Sequence, residues 1–240
     1  MSYTKDETKK EFGKELTKGI KTLYQANCVN WKGETSDTKE LYSEVIANEL
    51  LLNLKEFGKI SIVTRSATYS RENHCNINID LCKSNRNEEI FAKRITGLTL
   101  PELGLILDYQ IPLKDTLADK GLGKIDLISF NENTKTLFLI ELKYEGNDET
   151  LLRASLESYT YFKLVDKKKL KNDFFRKEQF SHINLNEIII TPAVLVVPKC
   201  NAYRELQEVY SGKRQQFKAL SLALGIKFFE LEIWVNETEL

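Results

Sequence analysis

Gly123-Lys-Ile-Asp126-Leu-Ile-Ser-Phe130-Asn131-Glu-Asn-Thr-Lys135-Thr136-Leu-Phe-Leu-Ile-Glu141-Leu-Lys143 holds two apolar runs, Lys124 to Phe130 and Thr136 to Tyr144, joined by the polar segment Asn131 to Lys135. Apolar runs of this length form strands, and polar, asparagine-rich joints between them form hairpin turns. A turn centred between Asn133 and Thr134 sets Asp126 opposite Glu141. Directly opposed Cβ atoms lie about 4.5–5.5 Å apart, where like charges destabilise a sheet unless positive charge comes between them. Side chains alternate along a strand, so Lys143 shares a face with Glu141, behind Leu137 and Leu139. Two acids and an ammonium thus close one end of an apolar face where packing alone would select valine. Carboxylates are hard ligands suited to Mg²⁺, with Mn²⁺ as the alternative. A lysine beside them can hold a water or stabilise charge developing on a phosphate.

Downstream, Asn147 or Asp148 can cap a helix from about Glu149 to Val165, with Leu152, Leu156 and Tyr159 on its buried side. Glu187 to Val197 is nearly continuous in apolar residues and bounded by Pro198, as in a strand covered on both faces. Ala202 to Ala223 predicts a helix stopped by Gly225, and Ile226 to Val235 a last strand. Upstream, Leu103 to Leu113 predicts a strand with Pro112 near its end. Thr38 to Phe57 predicts a core helix ended by Gly58, and roughly the first 25 residues an amphipathic helix. Between them, Lys59 to Thr64 and Ile77 to Cys82 alternate as a small hairpin would, followed by a loop to Pro101. The expected organisation is a single domain, 1–240: a helical extension at 1–37, a core at 38–198 with an insertion at 59–100, and a helix and strand at 199–240.

With 240 residues, 42% apolar content and only 4 prolines, the chain can bury a full core. Lys+Arg and Asp+Glu both number 35, so the overall field does not steer the protein toward nucleic acid, and any binding of a polyanion must be local. Cys28, Cys75, Cys82 and Cys200 lack CxxC spacing, and His74 and His182 are the only histidines, which argues against zinc. With no signal-peptide pattern and no apolar run near the ~20 residues a membrane span needs, the expectation is a cytoplasmic protein with reduced thiols and no membrane partner.

Gly-Lys-Ile-Asp126-Leu-Ile, followed across the turn by Leu-Ile-Glu141-Leu-Lys143, resembles the bipartite signature of the PD-(D/E)xK nuclease superfamily. The resemblance spans roughly residues 38 to 198. It implies an α/β, restriction-endonuclease-like fold: a central mixed β-sheet flanked by helices on both faces. It also implies that Asp126 and Glu141 hold the metal, with the Leu142 backbone carbonyl as a third ligand, and that Lys143 is the catalytic lysine. Glu44 matches the acid often found on the first core helix, with Glu49 as the competing choice. Glu157 and Tyr161 stand i, i+4 where some branches carry Gln before Tyr, and Glu in place of Gln is a departure. The proline that gives the family its name is missing before Asp126.

Glu-x-Lys alone says little, since Glu7-Thr8-Lys9 has the same pattern; the facing Asp and the helix that follows give the second match its weight. Gly121-Leu-Gly123-Lys124 precedes a strand and lacks the Walker spacing, so it reads as a turn. Lys167, Lys168, Lys169 and Lys171 form a basic cluster with the place and charge to contact nucleic-acid phosphates. The expectation is a Mg²⁺-dependent nuclease acting on DNA, in restriction, defence or repair by resemblance only, with a homodimer as a candidate assembly. Its rivals are a nuclease acting on RNA and a nuclease-like fold that binds or assembles without cleaving.

Overall fold

The computed structural model describes residues 2–70, 87–115 and 123–231. At its centre the Asn131–Lys135 turn closes as its composition dictates. The Thr134 N–H donates to Asn131 Oδ1 at 3.2 Å, and Lys135 takes the left-handed conformation such turns require (φ 52°). Strands β3 (Lys124–Asn131) and β4 (Thr136–Lys143) then pair antiparallel, from Asn131 opposite Thr136 to Leu127 opposite Ile140, in the register the turn implies.

The sheet grows outward from this hairpin. β2 (Gly104–Pro112) joins β3 antiparallel and β1 (Thr99–Leu100) joins β2, while β5 (Ile189–Val196) and β6 (Lys227–Glu230) add in parallel beyond β4. Among the described residues the result is one six-stranded mixed sheet in the order β1-β2-β3-β4-β5-β6 within an α/β fold. Parallel neighbours need crossovers. Helices α4 (Leu151–Leu164) and α5 (Lys167–Phe175) lie between β4 and β5, and α6 (Asn201–Tyr210) and α7 (Gln215–Leu224) lie between β5 and β6.

Alternation along β4 divides the core. Leu137 and Leu139 join a large cluster with Leu152 and Leu156 of α4. Phe138, Ile140 and Leu142 join a second with Phe91, Ala92 and Ile95 of α3 (Asn87–Ile95). The large cluster also takes in Phe12 of α1 (Lys5–Lys18), Leu23, Tyr24 and Cys28, and Ile46 and Leu50 of α2 (Tyr42–Leu52). Side chains of the segment expected as an extension, from Phe12 to Val29, are therefore part of the core.

Other differences have local causes. Helix α1 ends at Gly19 (φ 127°), and the chain continues as a 3₁₀ turn over Ile20–Gln25. The helix expected over Ala202 to Ala223 is two, because Gly212 (φ 81°) supplies the left-handed residue that ends a helix and costs about 1 kcal/mol inside one. Residues 60–64 form no strand, and the second arm of the expected hairpin, Ile77 to Cys82, lies outside the described residues, as do His74 and Cys75. Within that presumed insertion the chain forms α3 instead of a loop. Thr150, not Asn147 or Asp148, caps α4 by accepting from the Arg153 N–H. Cys28 and Cys200 are buried and unpaired. No helix among the described residues is long and apolar enough to cross a membrane.

Candidate functional site

The ladder between β3 and β4 stops at Leu127 and Ile140, and the next residue on each strand is Asp126 and Glu141. Here the strands part. The Leu142 N–H, instead of meeting a carbonyl of β3, donates to Asp126 Oδ2 at 3.0 Å. Lys143 faces β5, its carbonyl accepting from the Val197 N–H. Successive strand residues address opposite neighbours, so the Leu142 carbonyl is aimed at the β3 side, into the opening. Gln110 of β2 donates from Nε2 to Asp126 Oδ1 at 2.9 Å. Its backbone is left-handed in mid-strand (φ 51°), a strain on the order of 1–3 kcal/mol of the kind that persists where surrounding structure fixes a functional group.

Glu141 and Lys143 are 5% and 4% exposed. The Lys143 ammonium donates to Glu141 Oε1 at 2.8 Å and lies 2.5 Å from Glu149 Oε2. Burial raises the Asp126 carboxyl to about 7; Lys143 and the Leu142 N–H oppose the rise, while Glu88 and Glu157 add to it. Glu141 is held well above the usual carboxylate range by burial, then by repulsion from Asp126 and Glu157, with Lys143 pulling the other way. For Lys143, burial works against the charge, but Glu141, Glu149, Glu157 and Asp126 together outweigh it and keep the ammonium firmly protonated.

Of these groups Asp126 opens onto a cleft of about 540 Å³, lined also by Glu88, Gln110, Lys124, Glu157 and Tyr161, while Glu141 and Lys143 are buried behind it and do not line it. Tyr161 donates to Glu157 Oε1 at 2.6 Å and stands 3.4 Å from the Tyr24 hydroxyl. Room for that hydroxyl exists because residue 123 is glycine: a Cβ there would sit 1.9 Å from Tyr161 Oη. The Glu157 and Tyr161 pair singled out in the sequence thus does reach the cleft.

Glu44 does not. Its carboxylate accepts the Gln216 and Phe217 N–H groups, both at 2.8 Å, and so caps α7; Glu49 pairs with Lys9 at 3.2 Å. Both acids on α2 serve helix packing, and the extra acid near Asp126 comes from α3 as Glu88, held by the Tyr144 N–H and Asn147. Glu44→Ala should cost about 1 kcal/mol in urea denaturation, the worth of a lost helix cap, and leave any cleavage activity unchanged.

The lysine cluster is not at the cleft either. It forms the first turns of α5, and none of its four lysines lines the cleft. Lys167 lies over the Phe162 ring, Lys169 pairs with Asp173 and Lys171 donates to the Leu185 carbonyl, which leaves Lys168 the exposed member. Gln110, Glu88 and Glu149 went unmarked in the sequence because no period or motif sets them apart.

No protein-family model, no curated protein and no solved structure matches the chain. Among the described residues no three His, Cys, Asp or Glu side chains form a ready-made metal-ligand group. The donor chemistry nonetheless suits a hard dication. Asp126 and Glu141 are oxygen donors that burial and neighbouring carboxylates leave short of positive charge, and the ammonium that pairs with Glu141 is shared with Glu149.

Proposed function

We propose that the opening between β3 and β4 is the active site of a divalent-metal-dependent nuclease that hydrolyses phosphodiester bonds of DNA. The observation that carries the proposal is the placing of Asp126 and Glu141 at the point where two central strands separate, with the buried Lys143 ammonium on the face of Glu141. The resemblance to the PD-(D/E)xK superfamily adds to it, and the order α2, β2, β3, β4, α4, β5 agrees with a restriction-endonuclease-like core having helices on both sheet faces.

In this reading Asp126, Glu141 and the Leu142 carbonyl would hold the ion. When bound, Mg²⁺ supplies Lewis-acid polarisation of the phosphate and eases ionisation of water. Lys143 presents a fixed positive charge toward the oxygens on which negative charge develops, worth most where water is excluded. Gln110 and the Leu142 N–H fix the Asp126 carboxylate, so no reorganisation is needed at the moment of reaction.

Glu88, Glu89, Asp126, Glu145 and Glu157 line the cleft against Lys124. Such a wall repels a polyanion until cationic charge is added, so nucleic-acid binding itself is expected to require the dication. The test is incubation of purified protein with single- and double-stranded DNA and RNA, in Mg²⁺, Mn²⁺ or chelator, beside Asp126→Ala and Lys143→Ala. Metal-dependent cleavage of DNA lost in both variants supports the reading, and cleavage untouched by both substitutions sinks it. Cleavage confined to RNA would move the substrate. Metal-dependent retention without cleavage would favour a binding or assembly module, a reading to which the engagement of Lys143 by two carboxylates lends some weight.

A further inference from the structure

We infer that Glu149 is a positioning residue for Lys143: it anchors the ammonium when Glu141 is drawn to a bound cation. The inference rests on the nuclease reading of the site. Lys143 is almost wholly buried, and a buried ammonium must keep a carboxylate partner. It has two, Glu141 at 2.8 Å and Glu149 at 2.5 Å. Glu141 belongs to the metal-facing pair, so a ligand that takes its oxygens weakens its hold on Lys143. Glu149 has no such second duty. Its other oxygen lies 3.1 Å from Arg153 Nε in the first turn of α4, a charge contact without hydrogen-bond alignment.

The backbone around Glu149 is built as a rigid mount. Its N–H donates to Asn147 Oδ1 at 2.9 Å and its carbonyl accepts from Asn201 Nδ2 at 3.1 Å. The Thr150 N–H donates to Asn30 Oδ1, the Thr150 hydroxyl to the Val29 carbonyl, and the Leu151 N–H to the buried carboxylate of Glu205. Side chains and backbone from the N-terminal segment and from α6 thus hold three consecutive residues in place. A solvated surface ion pair, worth about 0–1 kcal/mol, has no use for such support. A carboxylate that must hold a lysine within a few tenths of an ångström does.

Two measurements on the full chain test this, using Glu149→Gln and the shorter but charged Glu149→Asp. In steady-state cleavage of DNA with Mg²⁺, Glu149→Gln is expected to lower kcat by about tenfold or more while KM and the Mg²⁺-induced rise in Tm stay near wild type, with Glu149→Asp recovering part of kcat. In amine labelling read by mass spectrometry, Lys143 should stay protected in wild type with Mg²⁺ and become labelled in Glu149→Gln with Mg²⁺. Wild-type kcat in Glu149→Gln, or unchanged protection of Lys143, overturns the inference. So does loss of the Mg²⁺-induced Tm shift, which would make Glu149 a ligand. An inactive wild type that still shows the labelling difference keeps the positioning role and removes the nuclease.

Discussion

Lys143→Met is expected to destabilise the metal-free protein by about 3–5 kcal/mol at pH 8, measured by urea denaturation, and to abolish cleavage. Methionine keeps most of the volume and the unbranched stem, so the loss is one of charge. The ammonium is the partner of two carboxylates, and Glu141 beside it is 5% exposed. Removing one member of a buried ion cluster leaves the others desolvated without compensation, which costs far more than the cluster contributes as a whole. The loss should shrink at pH 5, because Asp126 and Glu141, already biased toward protonation by burial, then carry protons. It should shrink too when Mg²⁺ is added at pH 8, since a dication replaces part of the missing charge. A loss below about 1 kcal/mol at pH 8 would mean that water reaches the cluster and that Lys143 is an ordinary surface lysine.

Asp126→Asn is expected to act in the opposite direction on stability while destroying function. A carboxyl whose folded pKa lies above its unfolded value of about 3.9 holds its proton more tightly in the folded state. Its contribution is fully present below about pH 4 and is lost as the pH rises through the folded value, here about 7. The metal-free wild type should therefore lose stability between pH 4 and 7. Asparagine cannot ionise, its side-chain oxygen can still accept from the Leu142 N–H, and Gln110 can turn its amide so that Oε1 accepts from the new Nδ2. Asp126→Asn should match wild type near pH 4 and exceed it at pH 8 by on the order of 1–3 kcal/mol. Mg²⁺ should raise the Tm of wild type more at pH 8 than at pH 5, and the Tm of Asp126→Asn hardly at all. A variant less stable than wild type at pH 8 without metal would contradict the shortage of positive charge on which the metal proposal depends.

Such trade-offs between stability and function are common at active sites, and two other features of this cleft have the same character. Gln110 keeps a left-handed backbone within a strand in order to reach Asp126, and glycine at 123 gives up side-chain packing so that Tyr161 can reach Glu157.

The hairpin was legible because both of its determinants are local. Side-chain period and turn length together fix the register from Asn131–Thr136 to Leu127–Ile140, whereas the direct pairing of Asp126 with Glu141 that the same register would give is not made, because the ladder ends one residue before it. The β2, β4 and β5 segments were legible for a related reason, each being an apolar run bounded by residues that stop it, and α4 from the helical spacing of Leu152 and Leu156. Glu44 was misread because a helical period says which face an acid occupies but not what packs there, and α7, distant in sequence, supplies the N–H groups that claim it. The surroundings of the lysine cluster were likewise hidden from the sequence: Lys169, Lys171 and Lys167 meet Asp173, the Leu185 carbonyl and the Phe162 ring, while Lys168 stays exposed.

From sequence alone came the strand register, the shared face of Glu141 and Lys143, and the α/β pattern, all set by contacts within about twenty residues. Tertiary structure alone decided that β3 leaves β4 at Asp126, that Gln110 and Glu88 approach it, and that Glu149 takes the second side of the lysine. Each of those depends on long-range packing that brings separate strands and helices to one opening, and no local pattern of residues encodes where such elements meet.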